Sequence, residues 1–148
     1  MIPESAYPLA WPITQARTPR HHRRPKQGGN VWTFDRARRV LRDEVRMLRG
    51  RGVVISTNLM LRIDGDPRSG QKRPEDPGVA VYFIRGDRPY VFACDRHPLP
   101  EQNLRAITQH LAAIRGMERW GVGSIDQAFT GYQALPPPAA EEWWRVLG

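Results

Sequence analysis

Clustered arginines are the side chains of this sequence best suited to a chemical task. Of its 23 basic residues, 21 are arginines, and a planar guanidinium group can bind two phosphate oxygens at once. Residues 1–51 carry 12 basic and 4 acidic residues, whereas residues 52–148 carry 11 of each. The net charge of +8 therefore comes from the first third of the chain. A GC-rich gene would equally favour arginine over lysine, so the asymmetry is the stronger indication of a polyanionic partner.

Thirteen of these cations fall into three groups that we predict to contact phosphates. The first group belongs to a proline-rich start, the second to one side of a predicted helix, and the third to an exposed loop. The groups are Arg17, Arg20, Arg23, Arg24 and Lys26; Arg38, Arg39, Arg42, Arg46 and Arg49; and Arg68, Lys72 and Arg73. The alternative for each group is a solvated surface with no ligand. For the helix a solvated face is the usual case, and the lack of a matching acidic stripe is the observation that favours binding instead.

Catalytic patterns are weaker than this charge pattern. Four aspartates near the predicted strands offer metal ligands for a nuclease, namely Asp64, Asp66, Asp76 and Asp95. However, no Glu-x-Lys sequence follows the hairpin, and turn formation is the better explanation of these aspartates. Cys94 with His97 or His110 resembles a thiol nucleophile with its base, although a lone cysteine ending a strand is more often a core residue. We expect no enzyme, no cofactor and no metal site.

The first 30 residues are predicted to form an extended basic arm. Five prolines in this segment exclude a helix or a central strand, and Gln27-Gly28-Gly29-Asn30 ends it as a flexible joint. Tyr7 and Trp11 are able either to stack on bases or to dock on the protein surface. Every periodic apolar stripe lies after Val31, so we expect residues 31–135 to fold without the arm.

The remaining elements predict a single α+β domain. A helix from Phe34 to Arg49 begins at the cap Thr33 and ends at two glycines, Gly50 and Gly52. Strands follow at residues 53–57, 59–63, 79–84 and 89–94, and the last two form a hairpin around Gly86-Asp87. A helix from Pro100 to Gly116 and a shorter one after Ser124 complete the domain. The predicted fold is a three- or four-stranded, largely antiparallel sheet with about three packed helices.

Residues 136–148 form a proline-rich spacer followed by a short recognisable sequence. Glu142-Trp143-Trp144-Arg145-Val146-Leu147-Gly148 resembles the opening of a J domain. Together with Ile55–Asn58, Pro67–Gly70 and Val79–Phe83, it makes the chain similar to small bacterial and phage-borne proteins described as J-domain-containing. The resemblance implies an N-terminal module without the chaperone-recruiting helices, because the His-Pro-Asp triplet is absent from the sequence. The alternative for this C-terminal segment is that it docks Trp143 and Trp144 on the domain, and both interpretations can hold together.

Two functions from different classes follow. The first is a non-enzymatic nucleic-acid-binding or adapter module whose arm and Arg-rich helix contact phosphates of DNA or RNA. The second is a protein-interaction module that docks on a larger assembly through its tryptophans. A metal-dependent nuclease is a distant third. No apolar stretch approaches the length of a membrane span, and we expect a cytoplasmic protein without a membrane partner.

Overall fold

Three helices and a three-stranded antiparallel sheet make up the residues that the computed structural model describes, which are 2–25 and 31–135. The α+β architecture is the one that the sequence predicts. The elements are α1 (Phe34–Met47), β1 (Gly50–Thr57), β2 (Val79–Arg85), β3 (Arg88–Cys94), α2 (Pro100–Arg119) and α3 (Ile125–Phe129), with short 3-10 turns at Arg20–His22 and Thr130–Tyr132.

Helix α1 begins at the predicted cap. The Thr33 side chain accepts a hydrogen bond from the backbone N–H of Arg36 at 3.1 Å, which satisfies one free donor of the first turn. Ala37, Leu41 and Val45 lie on one side of the helix and are almost fully buried. This stripe fixes which side of α1 faces solvent.

The end of α1 differs from the prediction that glycines would terminate it. Arg49 itself adopts the left-handed conformation, with φ of 65°. Gly50 instead begins β1. A Cβ at this position would lie 2.6 Å from Val45 Cγ1 and 2.8 Å from Phe83 Cδ2, so a larger residue would clash with the core. Gly50 is therefore required for close packing rather than for a special backbone angle.

The sheet has the order β1-β2-β3, with both pairs antiparallel. Thr57 pairs with Val79, and Val79 pairs with Cys94. The end of β1, the start of β2 and the end of β3 therefore lie side by side at one end of the sheet. Gly86, with φ of 67°, turns the predicted hairpin at the opposite end. The predicted strand over residues 59–63 is absent, because a turn leaves Leu61 only one isolated bridge to Pro67. Residues 58–78, which connect β1 to β2, thus form an irregular loop.

Helices α1 and α2 run side by side in the same direction over one face of the sheet. Arg105, near the start of α2, contacts Trp32 just before α1, and Arg115, near the end of α2, bonds Glu44 near the end of α1. Helix α2 continues through Gly116, where we predicted its end. The Trp120 ring packs over this glycine, 2.8 Å from where a Cβ would lie, so the glycine serves close packing within the helix.

The last helix is shorter than predicted. Ser124 and Gln127 form the expected capping box, but α3 ends at Phe129 and passes into a 3-10 turn. Leu135, beyond the end of this turn, is 56% exposed.

Both faces of the sheet are covered, as the alternation of apolar residues in β2 indicates. Val79, Val81 and Phe83 are fully buried beneath the helices. On the opposite face, a second cluster is partly covered by Ile2 and Leu9 from the N-terminal segment; its buried members are Ala80, Tyr82, Val91 and Ala134.

The N-terminal segment is extended, as predicted, but it lies on the sheet instead of projecting from it. The Thr57 N–H donates to the Ala6 carbonyl at 2.8 Å, and the Ala10 N–H donates to Ser56 Oγ at 2.7 Å. The Tyr82 hydroxyl donates to the Ala10 carbonyl at 2.6 Å. Our expectation that residues 31–135 fold without this segment missed these contacts, because a segment without apolar periodicity can still supply single apolar side chains and backbone hydrogen bonds.

Candidate nucleic-acid interface

The outer side of α1 carries an exposed row of arginines. Arg39, Arg42 and Arg46 are three and four residues apart, so they share the side opposite the buried stripe. The Arg39 side chain is 69% exposed and that of Arg46 is 79% exposed. We call these three residues the α1 row.

Two members of the α1 row have acidic neighbours on the same helix. Arg39 Nη2 lies 2.7 Å from Asp35 Oδ2, and Arg46 Nη2 lies 2.9 Å from Asp43 Oδ1. Exposed pairs at these spacings are weak because solvent screens them, so a phosphate can compete for either guanidinium.

Arg42 forms no ion pair with the described residues. Partial burial lowers its pKa from the ordinary value, and the neighbouring charge of Arg38 lowers it further. Arg42 stays cationic, but a negative charge beside it would relieve both effects. Among the described residues, the middle of the α1 row is therefore the member without a competing carboxylate.

Arg38 is a structural residue, although the sequence placed it in the same stripe. Its side chain is only 15% exposed, and its Nη2 lies 2.6 Å from Asp35 Oδ1 and 3.5 Å from Asp66 Oδ1. The neighbouring Asp66 and the hydrogen bond from Arg38 lower the pKa of Asp35, whereas Asp35 and burial raise the pKa of Asp66 against the opposing charge of Arg38. Arg38 thus holds the 58–78 connection against α1 and is not free to contact phosphate.

The 58–78 connection adds two exposed cations beside the start of α1. Arg68 and Lys72 are exposed and form no ion pair with the described residues. Arg73 is committed to Glu101 of α2, with Nη1 at 2.7 Å and 2.8 Å from the two carboxylate oxygens. The predicted loop group is therefore reduced to two free members.

Arg49 lies apart from the α1 row, at the hairpin end of the sheet. It lines a cleft of about 490 Å³ with Arg85 and Arg88. Arg85 is paired with Asp126 in the same cleft. The left-handed backbone at Arg49 turns the chain away from the helix, which separates its side chain from the row.

The arm splits into structural and exposed cations. Arg17 Nε donates to Asp95 Oδ2 at 2.9 Å and its guanidinium also pairs with Asp76. Burial opposes the charge of Arg17, but these hydrogen bonds outweigh it and raise its pKa. Arg23, only 11% exposed, donates from Nε to the Asp95 carbonyl at 2.8 Å. Both predicted phosphate ligands are thus engaged within the protein.

Arg20 and Arg24 are the exposed cations of the arm. Arg24 Nη1 bonds the carbonyls of His21 and Arg23, and its backbone N–H donates to the Arg96 carbonyl. Lys26 lies outside the described residues. Arg24, Arg96 and His97 line a cleft of about 750 Å³ beyond the end of β3.

The start of the arm lies on the face of the sheet opposite α1, and the exposed Arg24 lies past the end of β3, away from the strand that α1 covers. Helix α1 packs over β1, whereas Ile2 and Leu9 cover the other face and Arg24 lies beyond β3. The single cationic surface that we expected from the arm and the helix is therefore divided in two. The topology that separates them is invisible in the local sequence pattern.

The candidate catalytic groups are bound to other partners. Cys94 Sγ donates to Asn103 Oδ1 at 3.3 Å, His97 Nδ1 lies 2.7 Å from the Arg24 carbonyl, and His110 Nε2 lies 2.9 Å from the Tyr132 hydroxyl. Burial lowers the pKa of His110.

The four aspartates considered as metal ligands hold arginines. Asp66 contacts Arg38, while Asp76 and Asp95 contact Arg17. Asp64 pairs with Arg62, whose hydrogen bond lowers the pKa of Asp64 to about 2. Over residues 2–25 and 31–135, no group of three or more His, Cys, Asp or Glu side chains is placed to hold a metal ion.

Trp32 is a site residue that the charge pattern did not single out. Its ring lies under the guanidinium groups of Arg36 and Arg105, each 5.0 Å from the ring centroid. Arg36 precedes the α1 row by three residues and was visible in the sequence, but Arg105 reaches the ring only through the pairing of α1 with α2.

Comparison with protein families, with curated proteins and with solved structures finds no match. The J-domain-like sequence at 142–148 lies outside the described residues. In the described part of the chain, no helix has both the length and the apolar character needed to cross a membrane.

Proposed function

We propose that this protein binds nucleic acid through the α1 row and the adjoining 58–78 connection. The observation that carries the proposal is the exposure of Arg39, Arg42 and Arg46 on one side of α1, with only weak competing carboxylates on the same helix. Arg68 and Lys72 are exposed on the 58–78 connection, which the Arg38–Asp66 ion pair joins to α1.

The geometry favours contact with the phosphate backbone. The α1 row spans seven residues, a rise of about 10 Å along the helix, which is long enough to follow several phosphates. Guanidinium groups on a rigid helix lose little freedom on binding and gain from counterion release. We therefore expect affinity with little sequence preference, and no catalysis.

The test is the salt dependence of binding to labelled DNA and RNA, measured by fluorescence anisotropy between about 50 and 200 mM salt. The variant Arg39→Gln, Arg42→Gln, Arg46→Gln should bind more weakly. The slope of log affinity against log salt should fall by about one unit for each phosphate that the variant no longer neutralises.

A charge-matched control separates the α1 row from net charge. Arg88, Arg96 and Arg119 are exposed and lie elsewhere on the protein. Changing all three to Gln removes the same charge, and it should leave the slope near that of the parent chain. The proposal fails if the parent chain binds neither DNA nor RNA at about 50 mM salt, or if both triple variants behave alike.

A second candidate function is docking on a protein partner, in line with the exposed apolar side chains on the arm side. Ile13 is 60% exposed and Leu135 is 56% exposed, and with Trp11 they line a cleft of about 180 Å³. Under this function, a protein would co-purify from the native host after nuclease treatment, and Ile13→Asp would abolish that association. Loss of the partner on nuclease treatment would count against it.

A further inference from the structure

A cleft of about 440 Å³ opens in front of α1, between the start of that helix, the 58–78 connection and the first turn of α2. Trp32 and Phe34 form its aromatic part, while Arg68 and Arg73 stand at its polar side. Its volume lies within the range of about 300–1,000 Å³ that is usual for small-ligand sites.

We propose that this cleft holds one unpaired nucleotide of a single-stranded nucleic acid, with its base stacked on Trp32 and its phosphate beside Arg68. The proposal rests on the function proposed above and deepens it. It assigns the α1 row to the phosphate backbone of any nucleic acid, and the cleft to single strands alone.

The surroundings of Trp32 support stacking. The ring is partly buried and packs against the main core, so the protein holds it rigidly. Arg36 and Arg105 already use it as a cation–π partner. A stacked base is worth more than an exposed cation–π contact, so a nucleotide can displace the exposed Arg36 guanidinium.

The charge of the cleft also fits a nucleotide. Arg68 and Arg73 line the cleft, and Glu101 is the carboxylate in its lining, already shared with Arg73. Two further arginines lie over the Trp32 ring. Arg68 is exposed and forms no ion pair with the described residues. A duplex presents no free base face, so it cannot use Trp32 in this way.

The first experiment changes the ligand and leaves the protein unchanged. A 12-nucleotide single strand, its fully abasic counterpart and the matching duplex are compared at about 50 mM salt, as DNA and as RNA. We expect the abasic strand to bind about tenfold more weakly than the base-bearing strand. Equal binding of the two strands would overturn the inference for that nucleic acid.

The second experiment changes the protein. Trp32→Leu should lower single-strand affinity about tenfold and leave duplex affinity within twofold, whereas Trp32→Phe, which keeps a ring, should retain most of it. Trp120→Leu is the matched control, because Trp120 is 68% exposed at the far end of α2. Thermal melts identify any variant that has lost its fold, and the abasic comparison decides the question if Trp32→Leu has.

The outcomes separate the two proposals. Binding of single strands and duplex with no effect of Trp32→Leu, or with an equal decrease on both, overturns the nucleotide cleft and leaves the α1 row standing. No binding to any of the probes overturns the proposed function and the cleft with it.

Discussion

Arg17 Nε donates to Asp95 Oδ2 at 2.9 Å, which joins two residues 78 positions apart in the sequence. Asp95 is 2% exposed and also accepts a hydrogen bond from the Thr18 N–H at 2.9 Å. This contact fastens the N-terminal segment to the end of β3. It turns a predicted phosphate ligand into part of the scaffold.

Asp95→Asn should destabilise the protein in a pH-dependent way. We expect a loss of about 2 kcal/mol at pH 7, below the 3–5 kcal/mol typical of a broken buried pair because Arg17 is itself partly exposed. Burial raises the pKa of Asp95, but the hydrogen bonds from Thr18 and Arg17 outweigh it and lower that pKa. Stability from a carboxylate with a lowered pKa is present at neutral pH and disappears as the pH falls through that value.

Urea denaturation of the parent chain and Asp95→Asn at pH 7 and at pH values below about 4 measures this effect. The difference between their unfolding free energies should shrink toward the acidic end. Glu75→Gln, at an exposed position, is the control and should change little at any pH. A difference that stays constant down to about pH 2 would contradict the role given to the Asp95 charge.

Removal of residues 1–25 should lower the Tm by more than about 10 °C or prevent folding. The truncation uncovers Tyr82 and Val91 on the second face of the sheet and leaves the Thr57 N–H without its acceptor. Calorimetry of the truncated chain checks this. The full-length variant Arg20→Gln, Arg24→Gln removes two exposed charges and the exposed hydrogen bonds of Arg24 to neighbouring carbonyls, and its Tm should stay close to that of the parent. A truncated chain that melts within about 3 °C of the parent would mean that the segment contributes little.

Arg38→Gln should lower the Tm by a few degrees, whereas Arg39→Gln should leave it unchanged. The two arginines are adjacent and both contact Asp35, but only Arg38 is nearly buried and bridges to Asp66. Without Arg38, Asp35 and Asp66 have no cation between them. Circular dichroism melts at low salt distinguish the two variants, and equal Tm values would show that Arg38 does not hold the connection.

Gly50→Ala should cost about 1–3 kcal/mol through overpacking, because the added Cβ meets the buried side chains of Val45 and Phe83. Gly131→Ala is the matched control, since a Cβ there meets no atom within 4 Å. Its effect should stay within about 0.5 kcal/mol. Urea midpoints of the two variants give the comparison, and similar values for both would refute the close-packing role of Gly50.

Local patterns predicted most of the regular elements correctly. The Thr33 cap, the Gly86 hairpin and the capping box at Ser124 each depend on residues within a few positions of one another. Element ends were less predictable. Gly116, for example, lies within α2, where the Trp120 ring four residues later packs against it.

The candidate site was predictable only in part. Helical spacing alone placed Arg39, Arg42 and Arg46 on the exposed side of α1, because the apolar stripe determines which side is buried. The same spacing could not distinguish Arg38, whose second partner Asp66 comes from a distant connection.

The sequence by itself determined the α+β class, the charge asymmetry and the solvent-facing side of α1, since each follows from composition or from a repeat of about 2 or 3.6 residues. Only the tertiary structure decided which cations are free. Burial of Asp95 against Arg17, and of Trp32 beneath Arg105, brings together residues far apart in the chain. An ion pair or a stacked ring forms where the packed core places its two partners, and no local spacing encodes that distance.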